Sequence, residues 1–163
     1  MIFLIVFFFA IMLFGFVVFR GAPYVPTLNA QVRDAFELLD LKSGQTLLEL
    51  GCGDGRLLRY AAEHGVYSVG YELNPLLVLS IRLRHWRYRR YIRVIWGDYW
   101  LKDWPPSDGM YVFLLDRYMK KLDKKVAHYA GKKQYPLVSF AFEIPGRKAA
   151  ARRSGVRLYI YNA

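Results

Sequence analysis

The sequence predicts an α/β domain with a doubly wound, mostly parallel sheet, preceded by one N-terminal transmembrane helix. Three observations carry this. From Thr46 to Tyr161, short apolar runs of strand length alternate with helix-like stretches, the pattern of βαβ units laid side by side. The first apolar run, Leu47–Leu50, ends in a turn reading Gly51-Cys52-Gly53-Asp54-Gly55; glycines there let the backbone turn tightly and approach a ligand closely. Finally, Ile2 to Phe19 is an unbroken run of 18 apolar or glycine positions. As a helix rising ~1.5 Å per residue it spans about 27 Å, just enough to cross a hydrocarbon core ~30 Å thick.

Residues 1–20 are therefore read as the anchor. A cleaved signal peptide is its main rival, and it needs a positive leading region and a small-x-small cleavage site. No Lys or Arg precedes the run, and bulky residues continue to Arg20. All the basic residues follow the segment, so the positive-inside tendency places the C-terminal domain on the cytoplasmic side of a single-pass membrane protein. Residues 21–28 form a Pro-interrupted, extended linker, and 29–163 the folded domain. Asn29 can cap a helix over about Ala30–Asp40, with Val32, Ala35, Phe36 and Leu39 on one face. Ser43-Gly44 is a turn. Thr46–Leu50 reads as strand, Arg56–Glu63 as helix, Tyr67–Tyr71 as strand and Pro75–Arg90 as helix. Ile92–Trp96 and Met110–Leu115 are strands, joined through the loop Trp104-Pro105-Pro106-Ser107. A helix over Asp116–Tyr129 and strands over Leu137–Phe142 and Val156–Tyr161 complete the domain, the last strand antiparallel.

The charge balance is +11, from 24 basic and 13 acidic residues, which favours anionic partners: nucleic acid, a lipid surface or an acidic protein. The single cysteine, Cys52, excludes an intrachain disulfide and is consistent with a reducing compartment. Its place inside the glycine turn suits a small packed neighbour rather than a nucleophile. Residues 82–93 hold six arginines among Trp86, Tyr88 and Tyr91. A basic helix with aromatics can bind RNA, can be a solvated face, or can meet anionic lipid headgroups; the last two readings are preferred.

The turn itself discriminates between ligands. Dinucleotide sites use G-x-G-x-x-G, so that a helix N-terminus meets a pyrophosphate. Here the pattern is G-x-G-x-G, with Asp54 inside the loop. A carboxylate repels a pyrophosphate but suits a ligand that carries positive charge and no phosphate, such as S-adenosylmethionine with its sulfonium and α-ammonium groups. Glu72 lies 17 residues after Gly55, where such folds place an acid against ribose hydroxyls. A glycine triplet alone is most simply a turn. Glu49 with the triplet, then Glu72, then Gly97-Asp98, fall at three successive strand ends, which makes that plain reading improbable.

Motif Glu49–Gly55, Glu72 and Gly97-Asp98 together resemble class I, seven-β-strand S-adenosylmethionine-dependent methyltransferases, whose sheet is Rossmann-like. Within them, Pro23-Tyr24-Val25-Pro26-Thr27, Gly70-Tyr71-Glu72-Leu73-Asn74-Pro75, Phe113-Leu114-Leu115 and Phe140-Ala141-Phe142-Glu143-Ile144 are similar to a small branch of protein lysine methyltransferases, archaeal and mitochondrial. The mitochondrial members act on adenine nucleotide translocase or the ATP synthase c-subunit. The resemblance covers about Tyr24 to Tyr161. It implies that Glu49, Gly51, Gly53, Asp54 and Gly55 lie under the methionine moiety, that Glu72 accepts from the ribose diol, with Asn74 beside it, and that Gly97 and Asp98 serve the adenine, flanked by Trp96 or Trp100. Tyr24 and Thr27 become a lid over the cofactor. Phe113 and Leu115 contact the substrate, and Tyr24 and Glu143 are the implied catalytic residues, orienting a lysine ε-amine. For Glu143 an acid satisfied by Lys or Arg at a strand end is an equal alternative. No metal is expected. The stretch between Glu143 and Val156 is short and basic, so a helix and a strand of the family pattern are expected to be missing there. The Asn/Asp-Pro-Pro-Tyr stretch of amide- and exocyclic-amine-methylating enzymes is absent; Leu114-Leu115-Asp116-Arg117 stands in its place. The expected acceptor is therefore a protein lysine, on a partner at or near the membrane, with RNA methylation through residues 82–93 as the alternative.

Overall fold

A computed structural model of the chain describes residues 28–162, together with residues 1, 3, 4, 7 and 8. Helix α1 covers Asn29–Leu39, followed by β1 (Thr46–Leu50), α2 (Arg56–Glu63), β2 (Tyr67–Glu72), α3 (Pro75–Arg84), a 3₁₀ turn (Trp86–Tyr88) and β3 (Ile92–Trp96). Then come β4 (Gly109–Val112), α4 (Asp116–Ala130), β5 (Tyr135–Phe140), β6 (Ala151–Arg153) and β7 (Val156–Tyr161). The strands form one seven-stranded sheet in the order β3-β2-β1-β4-β5-β7-β6. Strands β1 to β5 are parallel, and β7 runs antiparallel to both β5 and β6.

The apolar runs are continuous where both faces of the sheet are covered. In β1, Leu48 and Leu50 pack with Met119, Leu122 and Val126 of α4, whereas Leu47 packs with Val32, Ala35 and Phe36 of α1 and Leu57 of α2. Alternation along the strand then puts Glu49 on the Leu47 side. Order reverses between β1 and β4, and in open α/β sheets this switch point is where ligands bind, beyond the carboxyl ends of the strands.

Several expectations are corrected. No helix among the described residues is long and apolar enough to cross a membrane, so neither the transmembrane helix expected over Ile2–Phe19 nor the single-pass localisation drawn from it is upheld. Crossing takes ~17–25 apolar residues in one continuous helix, and no helix among the described residues supplies it. Positions 2, 5, 6 and 9–27, with the linker and its Tyr24 and Thr27, lie outside the described residues. Asn29 is the first helical residue and not the cap; Leu28 precedes it without a side-chain bond. The helix expected over Pro75–Arg90 ends at Arg84 and continues as a 3₁₀ turn, so the arginine-rich stretch is not one helix. The strand read from Met110 to Leu115 stops at Val112, which releases Phe113–Leu115 into the loop beyond the sheet.

The C-terminal part keeps more of the pattern than expected. Strand β6 is present, and only a helix is lacking between β5 and β6. A two-residue turn, Ser154-Gly155, joins β6 to β7 with φ of 48° and 81°, the left-handed pair that suits a tight hairpin. Register sets Arg152 opposite Arg157, and like charges directly opposite are unfavourable. Glu143 resolves the conflict by accepting from both guanidinium groups, at 2.9 and 3.0 Å.

Candidate active site

The carboxyl ends of β1, β2, β3 and β4 carry, in order, the loop 51–55, residues 73–74, residues 97–98 and residues 113–115. The fold therefore brings together the described residues expected at the site, with Glu143 set apart on the β5–β7 side.

Glu49, near the end of β1, is buried, at 5% exposure. Among the described residues no group donates to its Oε2. Burial pushes its pKa well above the usual carboxylate range, and the neighbouring carboxylates of Asp54 and Glu72 push it the same way. A buried carboxylate without a donor is costly unless something supplies one. Two residues on, Gly51 turns with φ +80°, and a Cβ built there meets nothing within 4 Å. Among the described residues, nothing takes up the space beside Gly51. Gly55 (φ +75°) differs: a Cβ would lie 3.1 Å from Ile81 of α3, so this glycine permits close helix packing.

Glu72 ties two of these loops together. Its Oε2 accepts from the Gly53 amide at 2.9 Å, and its Oε1 accepts from the Asn74 amide at 2.8 Å. Burial raises its pKa, and these backbone hydrogen bonds pull it back toward the usual range. Each carboxylate oxygen has two lone pairs, so accepting capacity remains after both bonds. Asn74 caps α3 through its Oδ1, which accepts from the Leu76 amide at 2.9 Å; its side chain is used in the fold. Asp54 is likewise engaged: Arg56 donates to it from Nη2 at 2.6 Å and from Nε at 3.1 Å, so it shapes the loop rather than standing open to a cation.

Gly97 takes φ +143° and donates to the Glu72 carbonyl at 3.0 Å. Asp98 accepts from the Trp100 amide through Oδ1 at 2.8 Å, a local turn that fixes its carboxylate. Trp96 is exposed and donates from Nε1 to the Leu73 carbonyl at 3.1 Å. Trp100 packs instead on Tyr99 and Tyr118, whereas Trp96, at the carboxyl end of β3, keeps much of its ring exposed.

Sequence reasoning missed what holds this loop. Lys125 of α4 donates to the carbonyls of Tyr99, Trp100 and Lys102 at 3.0, 3.2 and 3.0 Å, and sits 4.5 Å over the Trp104 ring. Burial lowers its pKa. Tyr71 adds a bond from its hydroxyl to the Asp103 carbonyl at 3.0 Å. The only signal was a lysine three residues after Leu122, beside the apolar face of α4.

Phe113 packs edge-on against Phe140 at 4.8 Å, and Leu115 immediately precedes α4; both are partly exposed. Glu143 is exposed and held by Arg152 and Arg157, an acid satisfied by arginines at a strand end. Cys52 is buried against Leu58, Val78, Ile81 and Val94, as a packed neighbour. Burial pushes its thiol pKa up, the wrong direction for a nucleophile.

Comparison with known proteins places this geometry. The family model described as the ANTKMT methyltransferase domain matches residues 49–151. The chain is 35% identical over 106 residues to the ATP synthase c-subunit lysine N-methyltransferase of Xenopus laevis, covering 64% of this chain and 46% of that protein. It is 34% identical over 107 residues to the adenine nucleotide translocase lysine N-methyltransferase of Mus musculus, covering 64% and 46%. The chain thus spans under half the length of these curated relatives. Among solved structures, an RNA methyltransferase from Salinibacter ruber in complex with S-adenosyl-L-homocysteine superposes with a TM-score of 0.72 at 27% identity, over 84% of this chain and 92% of that one.

Proposed function

Because the chain belongs to the ANTKMT methyltransferase domain family, we propose that it binds S-adenosylmethionine at the carboxyl ends of β1 to β3 and transfers its methyl group to the ε-amine of a protein lysine. The observation that carries the cofactor reading is the pairing of Glu49 with Gly51: a buried carboxylate oxygen lacking a donor, two residues before a left-handed glycine whose Cβ direction is open. That combination fits a ligand bearing an ammonium group. Glu72 keeps acceptor capacity for a ribose diol, and Asp98 and Trp96 border the place for a base.

When bound, the cofactor supplies an electrophilic methyl on a sulfonium. The chain's own residues must then align the nucleophile with that methyl and exclude water. A lysine amine has an unperturbed pKa of ~10.4, and it has to lose its proton before it attacks. Burial, and repulsion from a neighbouring positive charge, both lower that pKa, so no dedicated base is required. Phe113 and Leu115, in the loop after β4, supply apolar walls for the alkyl stem of the acceptor. The lysine acceptor is supported by the names of the curated relatives, and by the absence of an Asn/Asp-Pro-Pro-Tyr stretch after β4. A membrane-associated substrate protein belongs to the same proposal, because the relatives are named for an ATP synthase component and for a translocase.

A second reading, an RNA acceptor, rests on the Salinibacter ruber structure and the arginines between residues 82 and 93. One experiment separates the two. The protein is incubated with methyl-labelled cofactor and a membrane extract, with and without ribonuclease, and the labelled product is located by mass spectrometry. Methyl on lysine, unaffected by ribonuclease, is the expected result. Methyl on RNA, or on glutamine or arginine, would overturn the lysine assignment and leave the cofactor reading standing.

A further inference from the structure

Helix α3 is apolar on two opposite faces. At ~100° per residue, Leu76, Leu79 and Leu83 fall within about 60° of one another, roughly opposite the buried Val78 and Ile81. Their exposures are 63%, 54% and 70%, and Trp86, in the 3₁₀ turn that extends the helix, is exposed at 63%. A solvated helix face does not carry three leucines and a tryptophan in register; burying such side chains is worth ~1.5–3 kcal/mol each, and here that gain is unused. Arg82 and Arg84 lie on the two flanks of the stripe, and Arg87, Arg89 and Arg90 follow it, all exposed. No acidic residue occurs between Glu72 and Asp98. One acid approaches from α2: Glu63 accepts from the Tyr88 hydroxyl and is paired with Arg59.

We propose that the Leu76–Leu79–Leu83–Trp86 face of α3 docks on an anionic lipid bilayer, with the leucines and Trp86 in the headgroup–acyl boundary and Arg82, Arg84, Arg87, Arg89 and Arg90 against the headgroups. Charge complementarity selects this occupant. A second copy of the chain using the same face would set arginines against arginines. RNA would use the arginines and aromatic rings and leave three leucines in water. An apolar stripe with basic flanks and an interfacial tryptophan is what lies in the plane of an anionic membrane surface. The contact is peripheral and needs nothing from residues 2–19. It is independent of the cofactor reading, and it would hold the carboxyl edge of the sheet, from which α3 starts, close to the lipid surface.

The test uses the full chain. Native Cys52 is buried, so a Leu83→Cys variant can be labelled selectively at position 83 with an environment-sensitive fluorophore. A Lys132→Cys variant, beyond the end of α4, serves as the reference site. On vesicles of mixed phosphatidylglycerol and phosphatidylcholine the label at 83 should shift to the blue and be quenched by brominated acyl chains, while the label at 132 should not. Arg84→Gln with Arg87→Gln should raise the lipid concentration for half-maximal response by roughly 25-fold, about fivefold per charge. Four results would each overturn the proposal: no response at 83, an equal response to pure phosphatidylcholine, a response to an RNA oligonucleotide in place of vesicles, or a response to protein concentration alone.

Discussion

Replacing Glu49 by glutamine should leave the ligand-free protein no less stable and make it bind the cofactor much more weakly. The side chains are nearly isosteric, so packing in β1 is preserved. In the free protein the Glu49 carboxyl is buried, lacks a donor on Oε2, and has its pKa raised by burial and by Asp54 and Glu72. A raised carboxyl pKa means that the folded state binds the proton more tightly than the unfolded state. Stability therefore falls as pH rises from the ordinary carboxylate value through the raised one. Glutamine removes that fall. An unsatisfied buried neutral group costs ~1–3 kcal/mol and a charged one more, so at neutral pH the variant should match or exceed the wild type in urea, the two converging below the ordinary carboxylate pKa. Binding should respond in the opposite sense. A hydrogen bond to a charged group contributes ~1.5–3 kcal/mol, so losing the carboxylate should weaken S-adenosylmethionine binding by roughly 10- to 150-fold. Urea titrations at several pH values and calorimetry on both proteins supply the two readouts. A variant that is clearly destabilised at neutral pH yet binds the cofactor normally would refute the reasoning.

Further expectations follow from individual contacts. Cofactor binding should release protons, because a cation beside Glu49 favours its charged form; affinity should rise with pH through the raised Glu49 pKa, measurable by calorimetry in buffers of differing ionisation enthalpy. Glu72→Ala should weaken binding by ~1.5–3 kcal/mol and also speed amide exchange at Gly53 and Asn74, since both amides donate to that carboxylate. Gly70→Ala should destabilise the fold by ~1–3 kcal/mol in urea, because the added Cβ would lie 2.7 Å from both Cys52 Sγ and Leu58 Cδ1. Glu143→Gln should change turnover little and stability by under ~1 kcal/mol, as expected for an exposed pair network with Arg152 and Arg157; a large loss of turnover at unchanged cofactor affinity would instead restore Glu143 to the chemistry.

The parallel core was legible from its alternation with helical stretches and from its apolar residues: Thr46–Leu50 is buried almost throughout, and the limits of Tyr67–Tyr71 and of the edge strand Ile92–Trp96 also hold to within a residue. Strand β6 was not legible. Two of its three residues, Arg152 and Arg153, are charged, and it lies at the sheet edge, so no apolar run marks it. Helix α3 was over-extended because Trp86–Tyr88 continue a helical pattern locally while closing as 3₁₀. The places of Glu49, Gly51 and Glu72 at successive strand ends were readable from spacing along the chain. The engagement of Asp54 by Arg56 and of Asn74 by its own helix was not, since each depends on where a guanidinium or an amide arrives in space; for Glu143, pairing with basic residues was one of two readings the sequence left open. The three carbonyls gathered by Lys125 were invisible for the same reason: they lie 23 to 26 residues away in sequence.

The most direct test of the central claim is calorimetric titration of the folded protein with S-adenosylmethionine, alongside Glu49→Gln and Glu72→Ala. Saturable one-to-one binding by the wild type, weakened at least tenfold in both variants, is the result the glycine loop and its two acids predict. No binding by a folded wild-type chain, or binding that neither variant disturbs, would contradict it.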